Sequence, residues 1–203
     1  IRAILEKNGY GMRKSANGQD IPHSYEKEIN GVFVHIDLLA SQYGGTGKGK
    51  RHQRVQDVLA FKALGLPLAF EDRHEYSMEG NLPNGAKHRA DIPVAGPCAL
   101  ITMKAKAFRD DISRIKDGYD IYYLLKNYPG GQEAIIDIFN RFAGHNLIKS
   151  SLNDLAFLFR EIDAVGPIGV ADFMLPEVKR SEDWEAIRRD SFEIVNDFIR
   201  KVS

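Results

Sequence analysis

The 203-residue chain carries 28 Lys plus Arg against 28 Asp plus Glu, with 43% apolar residues and a single cysteine. A zero net charge excludes a molecule-wide field drawing it to nucleic acid or anionic lipid, so any polyanion site has to be local. No apolar run approaches the roughly 18 residues of a membrane span. The lone Cys98, set in an apolar run, excludes an internal disulfide and fits a core-filling residue in a reducing cytoplasm.

In chain order, Ile1, Ile4 and Leu5 recur at helical spacing and Asn8-Gly9 supplies a stop, so a short helix opens the chain. Residues 10–14 and HSYEKEI read as strands around the polar turn SANGQD, and Asn30-Gly31 turns the chain into VFVHIDLLA, the best strand pattern in the sequence. Its alternation predicts a central strand with His35 and Asp37 on one face. The basic loop QYGGTGKGKRHQR follows, then a short helical pattern in VQDVLAFKALG closed by Gly65, then a strand-like LPLAFED. RHEYSMEGNLPNGAKHRADIPVAG reads as a hairpin about Asn84-Gly85, with Pro83 leaving its turn type open.

From Pro97 the pattern is helical. CALITMKAKAF, ISRIKDGYDIYYLLKNY, QEAIIDIFNRFA, SLNDLAFLFREID and EDWEAIRRDSFEIVNDFIRKV each repeat apolar residues every three or four positions, with breaks at Pro129-Gly130-Gly131, Gly144 and Gly166-Pro167. The expected organisation is an α+β part over residues 1–96 and a helical domain over 97–203, its short connections implying a bundle.

Three places carry candidate chemistry. GGTGKGK satisfies the GxxxxGK pattern, but Arg51 stands where a magnesium-binding hydroxyl belongs and the alternating strands of a P-loop fold are missing. A basic loop with Lys48, Lys50, Arg51, His52 and Arg54 remains, either touching phosphates or RNA or simply solvated. Asp37 on a strand face offers an oxygen ligand for metal-assisted phosphoryl transfer, or is a strand-end carboxylate turned to solvent; His35 beside it is a structural histidine or a ligand. Around KAKAFRDDISRIKDGYDIYYLL, Lys116 and Asp120 lie one helical turn apart, and Asp117 and Asp120 share an edge near the helix start. The structural alternative is a cap by Asp117 and a solvated Lys116–Asp120 pair.

KAKAF followed by RIKDGYDIYYLL resembles the lysine-bearing helix and the K/R-D-x-x-D-[IL]-[YW]-x-[LI] pattern of AbiEii-type nucleotidyltransferases, toxins of type IV toxin–antitoxin systems and their relatives. The order of elements is similar too, with an Asn-Gly-Tyr turn after the first helix, a carboxylate strand like HIDLL, and closing helices. The resemblance implies a nucleotidyltransferase-like mixed sheet with flanking helices, followed by a C-terminal helical bundle. It implies transfer of a nucleoside monophosphate from a nucleoside triphosphate (NTP), with Mg²⁺, to an RNA (such as tRNA) or protein acceptor, and an antitoxin protein as a partner. Carried over residue by residue, Lys104 would neutralise the nucleotide's phosphates, Asp117 would join the acidic set at the reaction centre, and Asp37 would complete the metal site or activate the acceptor. Lys116 and Asp120 would orient these groups or simply cap and pair; on the basic loop, Lys48 and Lys50 are the candidate phosphate contacts.

One departure stands against the match. The family's Gly-Gly or Gly-Ser turn and Asp-x-Asp pair have no counterpart, and Asp57 stands alone in what reads as a helical context. The chain is therefore read as continuing from a catalytic strand upstream of Ile1. The rival expectation is a nucleotidyltransferase-fold module that binds a nucleotide or partner without catalysis.

Overall fold

A computed structural model describes residues 1–42, 51–82 and 84–202. The chain divides into two compact units, Ile1–Pro67 and Leu68–Ser203. In the first, α1 (Arg2–Lys7) precedes β1 (Gly11–Lys14), β2 (Asp20–Ile29), β3 (Val32–Asp37), β4 (Leu39–Ser41), β5 (His52–Val55) and β6 (Val58–Ala63). Next, α2 (Leu66–Glu71) crosses the boundary, and the second unit continues with β7 (Arg73–Asn81), β8 (Lys87–Ala95), α3 (Pro97–Asp110), α4 (Ile115–Asn127), α5 (Gly131–Arg141), α6 (Asn146–Leu158), α7 (Val165–Met174) and α8 (Glu182–Val202). The fold is α+β with a helical C-terminal region, as expected.

Among the described residues the first unit holds two small sheets, β1-β2-β3 and β4-β6-β5; β4 runs parallel to β6, and the remaining pairs are antiparallel. Leu38 stitches the sheets together, its N–H donating to the His23 carbonyl at 2.8 Å and its carbonyl accepting from Phe61 N–H at 2.8 Å. The strand VFVHID is an edge strand and not the predicted central one, because β2 is its only partner among the described residues.

Residues 58–71 reverse the sequence expectation. Val58 and Ala60 are buried in β6, where period-two pairing with β4 and β5 decides, while LPLAFE forms a single helical turn and more, with Leu68 buried. Gly65, at φ 87°, ends the strand, and Pro67 sits in the first turn of α2, where its missing N–H costs nothing. Asp57 lies in the β5–β6 turn, not in a helix.

In the second unit the five expected helices form, together with α7, which the Gly166-Pro167 break concealed. Proline is tolerated in a first helical turn, and Gly166 is required there because a Cβ would come within 2.7 Å of the Leu158 carbonyl. The core runs through Ile101, Phe108, Ile121, Ile135, Phe139, Leu155 and Phe198, all fully buried, with the Phe139 and Phe198 rings edge to face at 4.9 Å. The 21-residue α8 carries Glu182, Asp183 and Glu185 in its first turn and Arg200 and Lys201 in its last, matching the helix dipole at both ends.

Candidate functional site

The two lysines of KAKAF point to different neighbours. Lys106 Nζ donates to Asp154 at 2.6 Å and to Ser150 at 3.0 Å, tying α3 to α6. Lys104 faces α4 instead, where its ammonium donates to Asp117 Oδ1 at 3.0 Å and to Asp120 Oδ2 at 2.6 Å. Two positions along a helix are about 200° of rotation, which separates the lysines onto opposite sides.

The contact between α3 and α4 is close because Gly118 has no side chain. A Cβ there would lie 2.8 Å from Cε1 of Phe108, whose ring is fully buried and has no room to turn. The N-terminus of α3 is held as firmly: its N-cap is Gly96, and the buried Asp72 carboxylate, beyond the end of α2, accepts from Ala99 N–H at 2.8 Å.

Both carboxylates of the cluster are fully engaged. Asp117, itself buried, receives Lys104 on Oδ1 and the Arg114 Nε on Oδ2 at 2.5 Å, and Asp120 receives both Lys104 and Lys116, the latter at 2.7 and 3.0 Å. Asp117 thus makes no cap to its own helix, which removes the capping alternative; Lys116 and Asp120 do form the expected one-turn pair. Arg114 is an addition to the residues expected from sequence, where its three-residue spacing from Asp117 is the one signal of it. Burial alone would lower the Lys104 ammonium, but hydrogen bonds to Asp120 and Asp117 outweigh it and hold the pKa above the ordinary lysine value. Burial works to raise Asp120, and the bonds from Lys104 and Lys116 prevail, leaving it below the ordinary carboxylate range.

Three cations and two carboxylates leave this cluster with one excess positive charge. An ammonium has three protons, and Lys104 commits two of them to the aspartates. The third has no partner among the described residues, and the side chain is 22% exposed, so it can meet an anion.

The remaining predicted residues stand elsewhere. Asp37 ends β3 in the first unit, exposed, on the same face as His35 and opposite Ser24. His35 Nε2 lies 4.0 Å from a Glu26 oxygen. His52 belongs to β5, its Nε2 3.0 Å from His23 Nδ1. Lys48 and Lys50, with the GGTGKGK pattern, lie outside the described residues. Among the described residues no group of three or more His, Cys, Asp or Glu is arranged to hold a metal ion. A groove of about 530 Å³ in the second unit is lined by Tyr122, Lys126, Ala186, Ile187, Arg189, Asp190 and Glu193, and contains none of the predicted residues.

A family model described as "Nucleotidyl transferase AbiEii toxin, Type IV TA system" matches residues 36–200. The chain belongs to this AbiEii family. The match takes in Asp37 and the whole Lys104–Asp117–Asp120 cluster. No curated protein and no solved structure matches the chain. Among the described residues of this AbiEii family member no helix is long and apolar enough to cross a membrane. Its one cysteine, Cys98, is buried in α3, and burial together with the nearby Asp72 charge pushes the thiol up to about 12, far from a reactive thiolate.

Proposed function

We propose that this chain supplies the phosphate-binding part of a cytoplasmic nucleotidyltransferase toxin that transfers a nucleoside monophosphate from an NTP to an RNA or protein hydroxyl. The observation carrying the reading is Lys104, fixed between Asp117 and Asp120 across two tightly packed helices and keeping one proton free. In the transfer, the acceptor hydroxyl releases its proton to solvent, its oxygen forms a bond to the α-phosphorus, the bond from that phosphorus to the bridging oxygen breaks, and pyrophosphate leaves. Lys104 stays protonated and hydrogen-bonds a phosphate oxygen through its third N–H, so that its fixed charge offsets the negative charge gathering on the leaving group. Asp117 and Asp120 position that ammonium, and Lys116 and Arg114 keep the local balance positive. We assign this role to residues 97–203, and residues 1–96 to the nucleotidyltransferase-like α+β domain, with Lys48 and Lys50 as further phosphate contacts.

Mg²⁺ is the ion this chemistry calls for, supplying charge neutralisation at the phosphates, and Asp37 is the carboxylate we assign to it or to the acceptor. One exposed carboxylate fits one ligand position and no more. An antitoxin protein is the partner that the family description supports.

The test has two arms. Isothermal titration of each NTP into the chain should show binding that Lys104→Met weakens. The protein, given labelled NTPs, Mg²⁺ and total tRNA, should transfer label at a rate that Lys104→Met lowers by about 10²-fold or more, the scale set by removing one preorganised donor. Binding without transfer would replace the enzyme by a nucleotide-binding module. Transfer unaffected by Lys104→Met would remove the site.

A further inference from the structure

The hairpin of β7 and β8 is a two-stranded sheet, and among the described residues no third strand pairs with it. Every residue of β7 is exposed. A two-stranded ribbon is marginal alone, and a third strand or a cover over an apolar face is ordinarily needed. The register supplies such a face: Tyr76 lies opposite Ile92, Met78 opposite Ala90 and His74 opposite Val94. Tyr76 and Met78 are more than half exposed, at 56% and 58%.

The two outer edges differ. Gly96 N–H donates to the Asp72 carbonyl at 2.7 Å and Leu82 N–H to the Ala86 carbonyl at 2.9 Å, so the even-numbered positions of β7 make the ladder bonds to β8. Pro93 lies opposite Glu75, an odd position, which places its missing N–H on the outer side of β8 and blunts that edge against pairing. On β7 the outward N–H and C=O groups belong to Arg73, Glu75, Ser77, Glu79 and Asn81, with no proline among them.

We propose that this outer edge of β7 pairs antiparallel with β7 of a second copy, about a two-fold axis at Tyr76, giving a four-stranded sheet across a homodimer. This centre sets Arg73 of each copy opposite Glu79 of the other, Glu75 opposite Ser77, and Tyr76 beside its symmetry mate, so the apolar face becomes continuous. Moving the centre by one residue sets Glu75 against Glu79 in one direction and against itself in the other, so like charges reject both neighbouring registers. The β7 edge is thus self-complementary in charge, apolar on one face and open in its backbone.

Sedimentation of the whole chain over a range of concentrations tests the pairing. Wild type should form a dimer. Glu79→Arg, which sets Arg73 against an arginine twice per dimer, should raise the dissociation constant by about tenfold or more. The double reversal Arg73→Glu with Glu79→Arg should restore it. Ser77→Pro removes an outward N–H without touching a ladder bond and should leave a folded monomer by circular dichroism. A wild type that stays monomeric, a dimer indifferent to Glu79→Arg, or a double reversal that remains weak overturns the proposal. None of these readouts depends on nucleotide transfer.

Discussion

In the unit Leu68–Ser203 the core is built from large side chains, Phe108, Phe139, Phe159 and Phe198 among them, each fully buried. Among the described residues of Ile1–Pro67 the buried apolar residues are Tyr25, Ala40, Val58 and Ala60, while Val32 and Phe33 on edge strand β3 stay more than half exposed. The difference teaches where a preorganised charge cluster can be built. Lys104, Asp117 and Asp120 need helices that cannot shift, and the sealed core around Phe108 supplies them. Asp37 stands on an exposed strand of the thinner unit, where a side chain keeps access to solvent and freedom of movement.

The largest effect should come from opening the thicker core. Phe139→Ala should cost about 3–5 kcal/mol, because the Phe198 ring loses its edge-to-face partner and the site has little room to collapse. Trp184, the only tryptophan and nearly buried on α8, reports unfolding of this unit by fluorescence in urea. A loss below about 1 kcal/mol, within the range of ordinary substitutions, would remove the contrast between the two cores.

Gly118→Ala probes the join between core and site. The added Cβ meets the immobile Phe108 ring at 2.8 Å. Overpacking of this kind costs about 1–3 kcal/mol, and the better helix propensity of alanine returns up to about 1 kcal/mol, so a net loss is expected. NTP affinity should fall with it, since the helices carrying Lys104 and Asp117 must part. Titration and urea unfolding of the same variant would show whether both move together; an unchanged affinity would uncouple the site from the packing.

The smallest effect concerns pH. Asp120 is held below the ordinary carboxylate value, so the stability it contributes is present above about pH 3.9 and is lost as the pH falls through its folded value. Lys104 is raised, so its contribution is present below about pH 10.4 and is lost as the pH rises through its folded value. Between these limits the contributions of Asp120 and Lys104 are constant. Asp120→Asn should flatten part of the acid limb of stability against pH, by no more than about 1 kcal/mol for partly exposed pairs. An acid limb identical to wild type would show that Asp120 carries none of it.

The helices from Pro97 onward were legible because apolar residues every three or four positions admit only one regular structure, and α7 escaped because Gly166-Pro167 looks the same in a loop as in a first helical turn. Residues 58–71 differ from the pattern in their sequence for a related reason. VLAFKA and LPLAFE are both short apolar runs, and only pairing with β4 and β5 makes the first a strand. At the site, the spacing of Lys116, Asp117 and Asp120 was visible along the chain.

By itself, then, the sequence determined an α+β chain with a helical C-terminal region, the AbiEii-type motif, and a pair of aspartates on one helical edge. The tertiary structure decided what those aspartates do. Lys104 reaches Asp117 and Asp120 from 13 and 16 residues away, through a helix contact that depends on Gly118 facing Phe108, and Arg114 takes the oxygen that a capping role would have used. Periodicity is a property of neighbours along the chain, whereas the partner of a buried charge is set by which helix packs beside it.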